Sequence, residues 1–517
     1  MQNLTKRPFA IPLVLVTLVI LCHFTYGMRT FDDAFITYRY ARNISNGLGF
    51  VYNTGDKVLG TSTPLFTLFL AGAGKFINPS VFPQLSFLLN LLIEAFNAVL
   101  LFRISNRIFG NSFLAALISS AYIFQPVRLD VVSGGMETPL YLTLLLLMYH
   151  DFVLREMKWT SAFWAGLAFL IRPDSLIASL PVFIVWFFRD RRKCLNAVLL
   201  FCLIITPWLL FSLLYFGHLL PNTILAKSIT YRNPAGHALL FLGTFYATGT
   251  LNFHLPLLWI AFGFITGISG ITYGSLKLSK LKPLMTAWLS FPLLYFLIMS
   301  IQNPAMWFPW YYLPLMPIGI LSLTAAWLST NYTRAWNWLR IGILFALIPG
   351  IPMIINHFYP SWDLDRQREA VYWEACQEIK PDIQVGDTVL APDIGVIGWC
   401  LEQAKILDPI GLVSPEALPY QQALSPNQWI SPDLIRDFQP EYIIAFDYYL
   451  EHTVKTSSVL EDGYQLVWQR EISIQSENRW LLILKRIHPT GMGFLAPGIK
   501  TSREYHPGQI GSISKDE

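Results

Sequence analysis

A succession of apolar stretches of spanning length constrains this chain more than anything else in it. A hydrocarbon core about 30 Å thick needs roughly 20 apolar residues in helix to cross it. Such segments are read at 10–27, 81–102, 111–127, 138–154, 160–172, 175–188, 195–216, 254–273, 284–300, 310–329 and 340–357. Several are short for a full crossing. Composition agrees: 54% of the residues are hydrophobic and only 14% charged, outside the usual range of a soluble domain. The expected fold class is therefore a polytopic α-helical membrane protein with about 11 transmembrane helices. The net charge of +4 is small, and the basic residues are scattered among loops. That distribution excludes a nucleic-acid partner. Five cysteines without a CxxC pair give no zinc motif. The start, with Lys6 and Arg7 before an apolar run and no small-x-small cleavage site after it, reads as an uncleaved first span.

The positive-inside rule sets the sides. The basic groups at Lys6/Arg7, Arg103/Arg107, Arg155/Lys158, Arg189–Lys193, Lys277/Lys280/Lys282 and Arg334/Arg340 share the cytoplasmic face only if two further apolar stretches, 63–77 and 238–250, lie in the interface without crossing. This places the N-terminus in the cytoplasm and the C-terminus outside a plasma (inner) membrane. Almost every unusual polar residue then falls in an outward loop. From about residue 358 the composition changes. An amphipathic helix over Asp363–Glu378 is followed by strands at Thr388–Leu390, Tyr442–Ala445, Gln465–Trp468 and Trp480–Leu484. The expected domains are a transmembrane part, 1–357, with a catalytic outer loop at 28–80; a small extracytoplasmic α/β domain, 358–488; and a flexible tail, 489–517. Cys376 and Cys400 would both lie outside, where a disulfide can persist, but the sequence fixes no distance between them.

The densest polar stretch is Thr30–Thr63, TFDDAFITYRYARNISNGLGFVYNTGDKVLGTST. Asp32 and Asp33, with Arg39 and Arg42, sit directly after the first span, and charge beside a bilayer points to function. Adjacent carboxylates diverge by about 100° on a helix, so the two do not serve one proton transfer together; Asp32 could instead cap the helix. Arg39 and Arg42 could face a lipid phosphate or the acidic pair, or reach to headgroups. Tyr38 and Tyr40 read first as interfacial anchors, with Tyr38 also a candidate substrate contact, and Trp307, Trp310, Tyr311 and Tyr312 as an aromatic belt. Arg172, in a tight Arg-Pro-Asp turn, suits a phosphate or braces the turn through Asp174. Glu137 opens a span beside Gly134-Gly135, where the backbone can approach a ligand closely; it is a candidate substrate contact or a plain carboxylate at a helix N-terminus. Lys227, in PNTILAKS, and Arg232 are further phosphate candidates, and Asn222 and Tyr311 further substrate contacts.

The order of these features, an acidic pair after the first span, an interfacial helix opening at Pro64 and a second span ending in arginines, resembles the GT-C superfamily of polyprenyl-phosphate-dependent glycosyltransferases. The stretch DDAFITYRYARNISNGLGFVYNTG is similar to the start of the mycobacterial terminal arabinofuranosyltransferase family, whose pattern is D-D-A-[YF]-I-[TS]-Y-R-Y-A-x-N followed by V-[YF]-N-x-G. SGGMETPLY, LIRPDSL, LPNTILAKS and PDIGVIGW…ILDPIGL also look like that family, so the resemblance runs from about 30 to 450. Where relatives often carry an acidic residue before the glycine, this chain has Val58-Leu59-Gly60, which leaves the donor sugar open. The resemblance implies transfer of a sugar from a polyprenyl-phosphate donor to a hydroxyl of an envelope glycan or glycolipid, with inversion. Asp33, or else Asp32, would be the general base, and the arginines and Lys227 would hold donor phosphate. No cofactor is required; the acidic pair could hold a divalent cation, although Arg39 and Arg42 already supply positive charge. The C-terminal domain is expected to capture the acceptor. A polytopic transporter or lipid-linked sugar flippase is the alternative. Against it stand polar residues that favour one face and the lack of paired mid-span charges in repeated segments. A non-catalytic scaffold is the third class.

Overall fold

The computed structural model describes residues 10–231, 257–302, 308–329, 364–426, 428–474 and 477–487. The expected spans at 340–357 and in part at 254–273, the stretch 238–250, Trp307, Arg232 and the tail from 489 fall wholly or partly outside them. The chain divides into two compact units, 1–47 with 61–219 and 232–362, and 48–60 with 220–231 and 363–517.

The first unit is helical. Its helices up to residue 219 are α1 (Ala10–Tyr26), α2 (Asp32–Ser45), α3 (Pro64–Ala73), α4 (Phe82–Phe109), α5 (Ser112–Ile123), α6 (Pro126–Ser133), α7 (Thr138–Tyr149), α8 (Thr160–Ile171), α9 (Ser175–Arg189) and α10 (Arg191–Phe216), and further helices run over Leu257–Leu281, Met285–Gln302 and Met316–Ser329. Of the described helices, 79–109 and 191–216 are long and apolar enough to cross a membrane, and the pair α5–α6, bent by 66°, makes a third if it is one span. Other apolar helices are shorter, at 10–17 residues. α3, with ten residues, is about 15 Å long, half the thickness of a hydrocarbon core.

The side chains are arranged inside-out relative to a soluble bundle. On α4, Asn90, Glu94 and Asn97 are fully buried, while Leu88, Leu92 and Phe96 are exposed. α10 likewise exposes Leu199, Leu203 and Leu214. Backbone polarity is satisfied within each helix, so such outward apolar faces suit a lipid surround. Inside, Leu15 and Val19 of α1 pack with Ala95, Ala98 and Phe102 of α4 and with Ala115 and Ile123 of α5.

A buried ion pair crosses this core. Glu94 of α4 meets Arg128 of α6 at 3.1 Å, both side chains without solvent exposure. Tyr122 and Asn97 donate to the same carboxylate. Arg128 lies 2.9 Å from His23 Nε2, and His23 Nδ1 lies 3.1 Å from the Ser133 hydroxyl. Sequence reading passed over this group, although Glu94 is the one carboxylate in the apolar run 81–102.

The second unit contains the sheet. β1 (Thr388–Leu390), β2 (Lys405–Leu407), β3 (Tyr442–Phe446), β4 (Tyr464–Ile474) and β5 (Glu477–Arg486) lie in the order β2-β1-β3-β5-β4. The first three strands are parallel, and β3–β5–β4 are antiparallel. Four strands fall where the short apolar runs put them; β2, three residues long, was missed. α11 (Asn222–Thr230), α12 (Leu364–Ile379) and α13 (Ile394–Cys400) belong to the same unit. Cys376 of α12 and Cys400 of α13 form a disulfide, settling the pairing that the sequence left open.

Two pieces of loop join this unit rather than the helices around them in sequence. Asn53 donates to the carbonyl of Ile406 at 2.9 Å and accepts from its N–H at 3.0 Å. The amide thus acts as a surrogate strand on the sheet edge at β2, where unpaired groups would otherwise be left. Asp56 pairs with Lys405 at 3.0 Å, and the Tyr52 hydroxyl donates to the Ile394 carbonyl. Asn222 donates from its backbone to Leu59 at 2.8 Å and from its side chain to the carbonyls of Gly411 and Leu412.

Candidate active site

The acidic pair owes its position to the backbone of the turn between α6 and α7. The N–H groups of Arg29 and Phe31 donate to the carbonyls of Ser133 and Gly134 at 3.2 and 3.0 Å. The Tyr38 hydroxyl donates to Gly135 at 2.7 Å, and Asn90 to Met136 at 2.9 Å. Four successive carbonyls in an apolar surround are thereby satisfied, as burial demands. The glycines make the approach possible: a Cβ on Gly134 would meet the Phe31 ring at 2.3 Å, and one on Gly135, which holds φ +76°, the Tyr38 hydroxyl at 2.4 Å. The close approach foreseen at Gly134-Gly135 is thus made by the chain's own α2.

Phe31 is the N-cap of α2, so Asp32 and Asp33 occupy its first turn; Asp32 is not the cap. Both favour that end through the helix dipole, and both are half-buried. The remainder of α2 is enclosed. Tyr38 and Tyr40 are fully buried and Arg39 is 2% exposed. The readings of the tyrosines as interfacial anchors and of Arg39 as reaching to headgroups are corrected: the α2 helix packs on all sides. Arg42 is half-buried.

Glu137 caps α7 without a side-chain capping bond; its carboxylate turns to Arg172, at 3.4 Å. Arg172 ends α8 and grips Asp174 through two parallel bonds of 3.1 Å, the bracing pair the Arg-Pro-Asp turn allowed. The rings of Tyr141 and Tyr311 stand 5.6 and 5.3 Å from the guanidinium, within cation–π range. Trp310, Tyr311 and Tyr312 are buried, and Trp310 packs on Phe31. They line the interior of this unit and form no belt toward lipid. Burial pushes the Glu137 carboxyl above its usual range; Arg172 pulls it down, while the charges of Asp174 and Asp33 add to the rise. The structure thus brings Asp33, Glu137, Arg172, Asp174 and Tyr311 into one electrostatic neighbourhood. Lys227, half-buried on α11, and Asn222 belong to the second unit. Among the described residues, no three His, Cys, Asp or Glu side chains group to hold a metal ion.

Such a place, with half-exposed carboxylates at a helix N-terminus beside an arginine and tyrosine rings, can accept a proton from a hydroxyl and hold an anion. The fold carrying it is that of a known class of membrane enzyme. Over 92% of this chain and 98% of the other, it superposes on the ArnT of Cupriavidus metallidurans bound to undecaprenyl phosphate, with TM-score 0.55 and 13% identity. The apo form of that protein matches over 91% and 97%, with TM-score 0.55 and 12% identity. Among curated proteins, the terminal β-(1→2)-arabinofuranosyltransferase of Mycobacterium tuberculosis is 28% identical over 215 residues, 38% of this chain and 34% of that protein. The matched stretch spans about a third of that relative. Residues 363–486 match a domain of unknown function, DUF8728. In sequence and in fold the chain resembles the GT-C polyprenyl-phosphate-dependent glycosyltransferases, as its opening motif does.

Proposed function

We propose that this protein is a membrane glycosyltransferase that moves a sugar from a polyprenyl-phosphate donor to a hydroxyl of a glycan or glycolipid acceptor, inverting the anomeric carbon. The acceptor oxygen forms the new bond to that carbon as the bond to the phosphate oxygen breaks. The acceptor proton passes to Asp33, with Asp32 as the second choice. A phosphate leaves without needing a proton, so one carboxylate suffices where glycosidases use two. Cations must stabilise the charge that develops on it. Arg172 fits that task through Nη1, whose 3.4 Å contact with Glu137 a phosphate oxygen could replace, while Asp174 keeps the guanidinium in place. Arg42, half-buried, is the further donor-side cation of this unit, whereas Arg39, at 2% exposure, is as enclosed as Glu137. No metal is required by this scheme.

The observation that carries the reading is the fixing of the Asp32-Asp33 turn against the 133–137 turn beside Arg172. Glu137, at 3% exposure, is too enclosed to receive an acceptor, whereas Asp32 and Asp33 are half-buried. About eleven spans, a cytoplasmic N-terminus and an outward catalytic loop complete the proposal. The buried disulfide supports that sidedness, since such bonds persist outside the cytosol. Membranes containing the protein are expected to transfer radiolabel from polyprenyl-phosphate sugars. Asp33→Asn should lower turnover by about 10²–10⁴, the usual share of a general base, and Asp32→Asn should do so only if the roles are exchanged. Full transfer by both variants would remove the assignment.

A further inference from the structure

The second unit holds a group of side chains at the place where an open α/β sheet presents its crevice. β1 lies between β2 and β3, all three parallel; the chain leaves β1 toward β2 and leaves β3 toward β4, so the connections diverge between β1 and β3. At such a switch point, ligands bind beyond the carboxyl ends of the strands. Asp393 follows β1 by three residues, and Tyr448 and Tyr449 follow β3 by two and three. They converge there: Arg368, from α12, pairs with the Asp393 carboxylate and donates to the Tyr449 hydroxyl at 3.2 Å. Tyr372 and Tyr449 also donate to Asp393, the latter at 3.3 Å. The ring of Tyr449 meets Trp429 edge-on at 5.5 Å and Tyr448 at 4.3 Å. Trp429, Tyr448 and Arg368 remain half-exposed, and Arg368 Nε is buried without an acceptor.

The chemistry of this group narrows its ligand. Arg368 is paired with Asp393, and Arg479, 5.7 Å from the centre of the Tyr448 ring, lies in the field of Asp447, so the crevice carries no surplus positive charge for a phosphate. The turn after β1 reads Ala391-Pro392-Asp393; proline offers no N–H, and the helix that follows is only seven residues long, so the anion cradle of a nucleotide site is not built. What remains is the half-exposed Asp393 carboxylate, held in place by the buried Tyr372 and Tyr449, beside the half-exposed rings of Trp429 and Tyr448, which carry an apolar face and a polar tip. That combination suits a neutral molecule with many hydroxyls.

We propose that the crevice of Arg368, Tyr372, Asp393, Trp429, Tyr448 and Tyr449 is a saccharide-binding subsite that holds the acceptor glycan away from the reacting hydroxyl. The assignment of the bound sugar as acceptor rests on the glycosyltransferase reading; saccharide binding itself does not. The full-length protein in detergent should be probed on an array of neutral pentose and hexose oligosaccharides beside phosphorylated and sulfated ones. Binding of neutral oligosaccharides, weakened at least tenfold by Trp429→Ala and Tyr448→Ala but retained in Tyr448→Phe, is expected. Formation of the Cys376–Cys400 bond in each variant serves as the folding control. Binding of anionic glycans only, no binding, or binding indifferent to both alanine variants in folded protein would overturn the subsite. In the transfer assay, the same variants should raise the acceptor KM and leave kcat within about twofold. An absence of transfer by the parent protein, with saccharide binding intact, would instead count against the reaction and leave the subsite standing.

Discussion

Asp408 shows how one enclosed carboxyl can govern a loop. It follows β2 and accepts from the backbone N–H groups of Ile410 at 2.9 Å, of Val413 at 3.2 Å and of Leu412. Burial pushes its pKa up to about 7, although those N–H groups favour the charged form. The folded value lies above the ordinary 3.8, so the unfolded chain binds fewer protons in the window between. Asp408's contribution to stability is therefore complete below about pH 3.9, declines as pH rises and is lost above about 7. The slope is at most about 1.4 kcal/mol per pH unit. Amide exchange at residues 410–413 is expected to be slower at pH 5 than at pH 8 after correction for intrinsic rates. Asp408→Asn should flatten that difference; an unchanged pH dependence in the variant would place its origin elsewhere. The consequence reaches further, because Gly411 and Leu412 hold Asn222, the first residue of the helix that carries Lys227.

Between elements, the Glu94–Arg128 pair ties α4 to α6 and, through His23 and Ser133, α1 to the end of α6. The turn that receives α2 begins at that end, so the pair is placed to keep the acidic turn in register. Removing one partner of a buried pair strands the other charge and costs about 3–5 kcal/mol. Glu94→Leu and Arg128→Met should each lower the melting temperature of the detergent-purified protein sharply. The double variant, with no stranded charge, should recover much of the loss; a double variant no better than the sum of the singles would deny the coupling. The apolar run around Glu94 was plain in the sequence, but its partner 34 residues away was not, because a helix bend decides which side chain arrives. The same limit explains β2: three residues at a sheet edge have too little pattern to read, and its Asn53 partner lies 353 residues away. β3, with the unbroken Tyr442–Phe446 run, was legible because a strand buried on both faces stays apolar throughout. The acidic pair was legible as a motif and a helix start. Its setting was not, since Trp310 and Tyr311 have belt composition and only packing shows them turned inward.

For the molecule as a whole, sidedness is the claim on which the chemistry depends, and the second unit offers a way to measure it. This unit includes residues 48–60, which follow α2 directly, as well as the Cys376–Cys400 bond. If the unit lies outside the cytosol, so does the segment leaving the acidic helix. Cys22, Cys194 and Cys202 are free. Unreduced protein, unfolded and tagged with a large maleimide, should therefore gain three tags, and reduced protein five. A chain gaining five without reduction would mean a reducing compartment. An independent probe is Leu48, which is 48% exposed and precedes the buried Phe50–Asn53 anchor, so a cysteine there leaves the docking intact. In a background without the three free thiols, Leu48→Cys should react with a membrane-impermeant maleimide in intact cells. Labelling only after permeabilisation would put the acidic turn on the cytoplasmic side, and the proposed meeting of base and lipid-borne donor beyond the bilayer would fail with it.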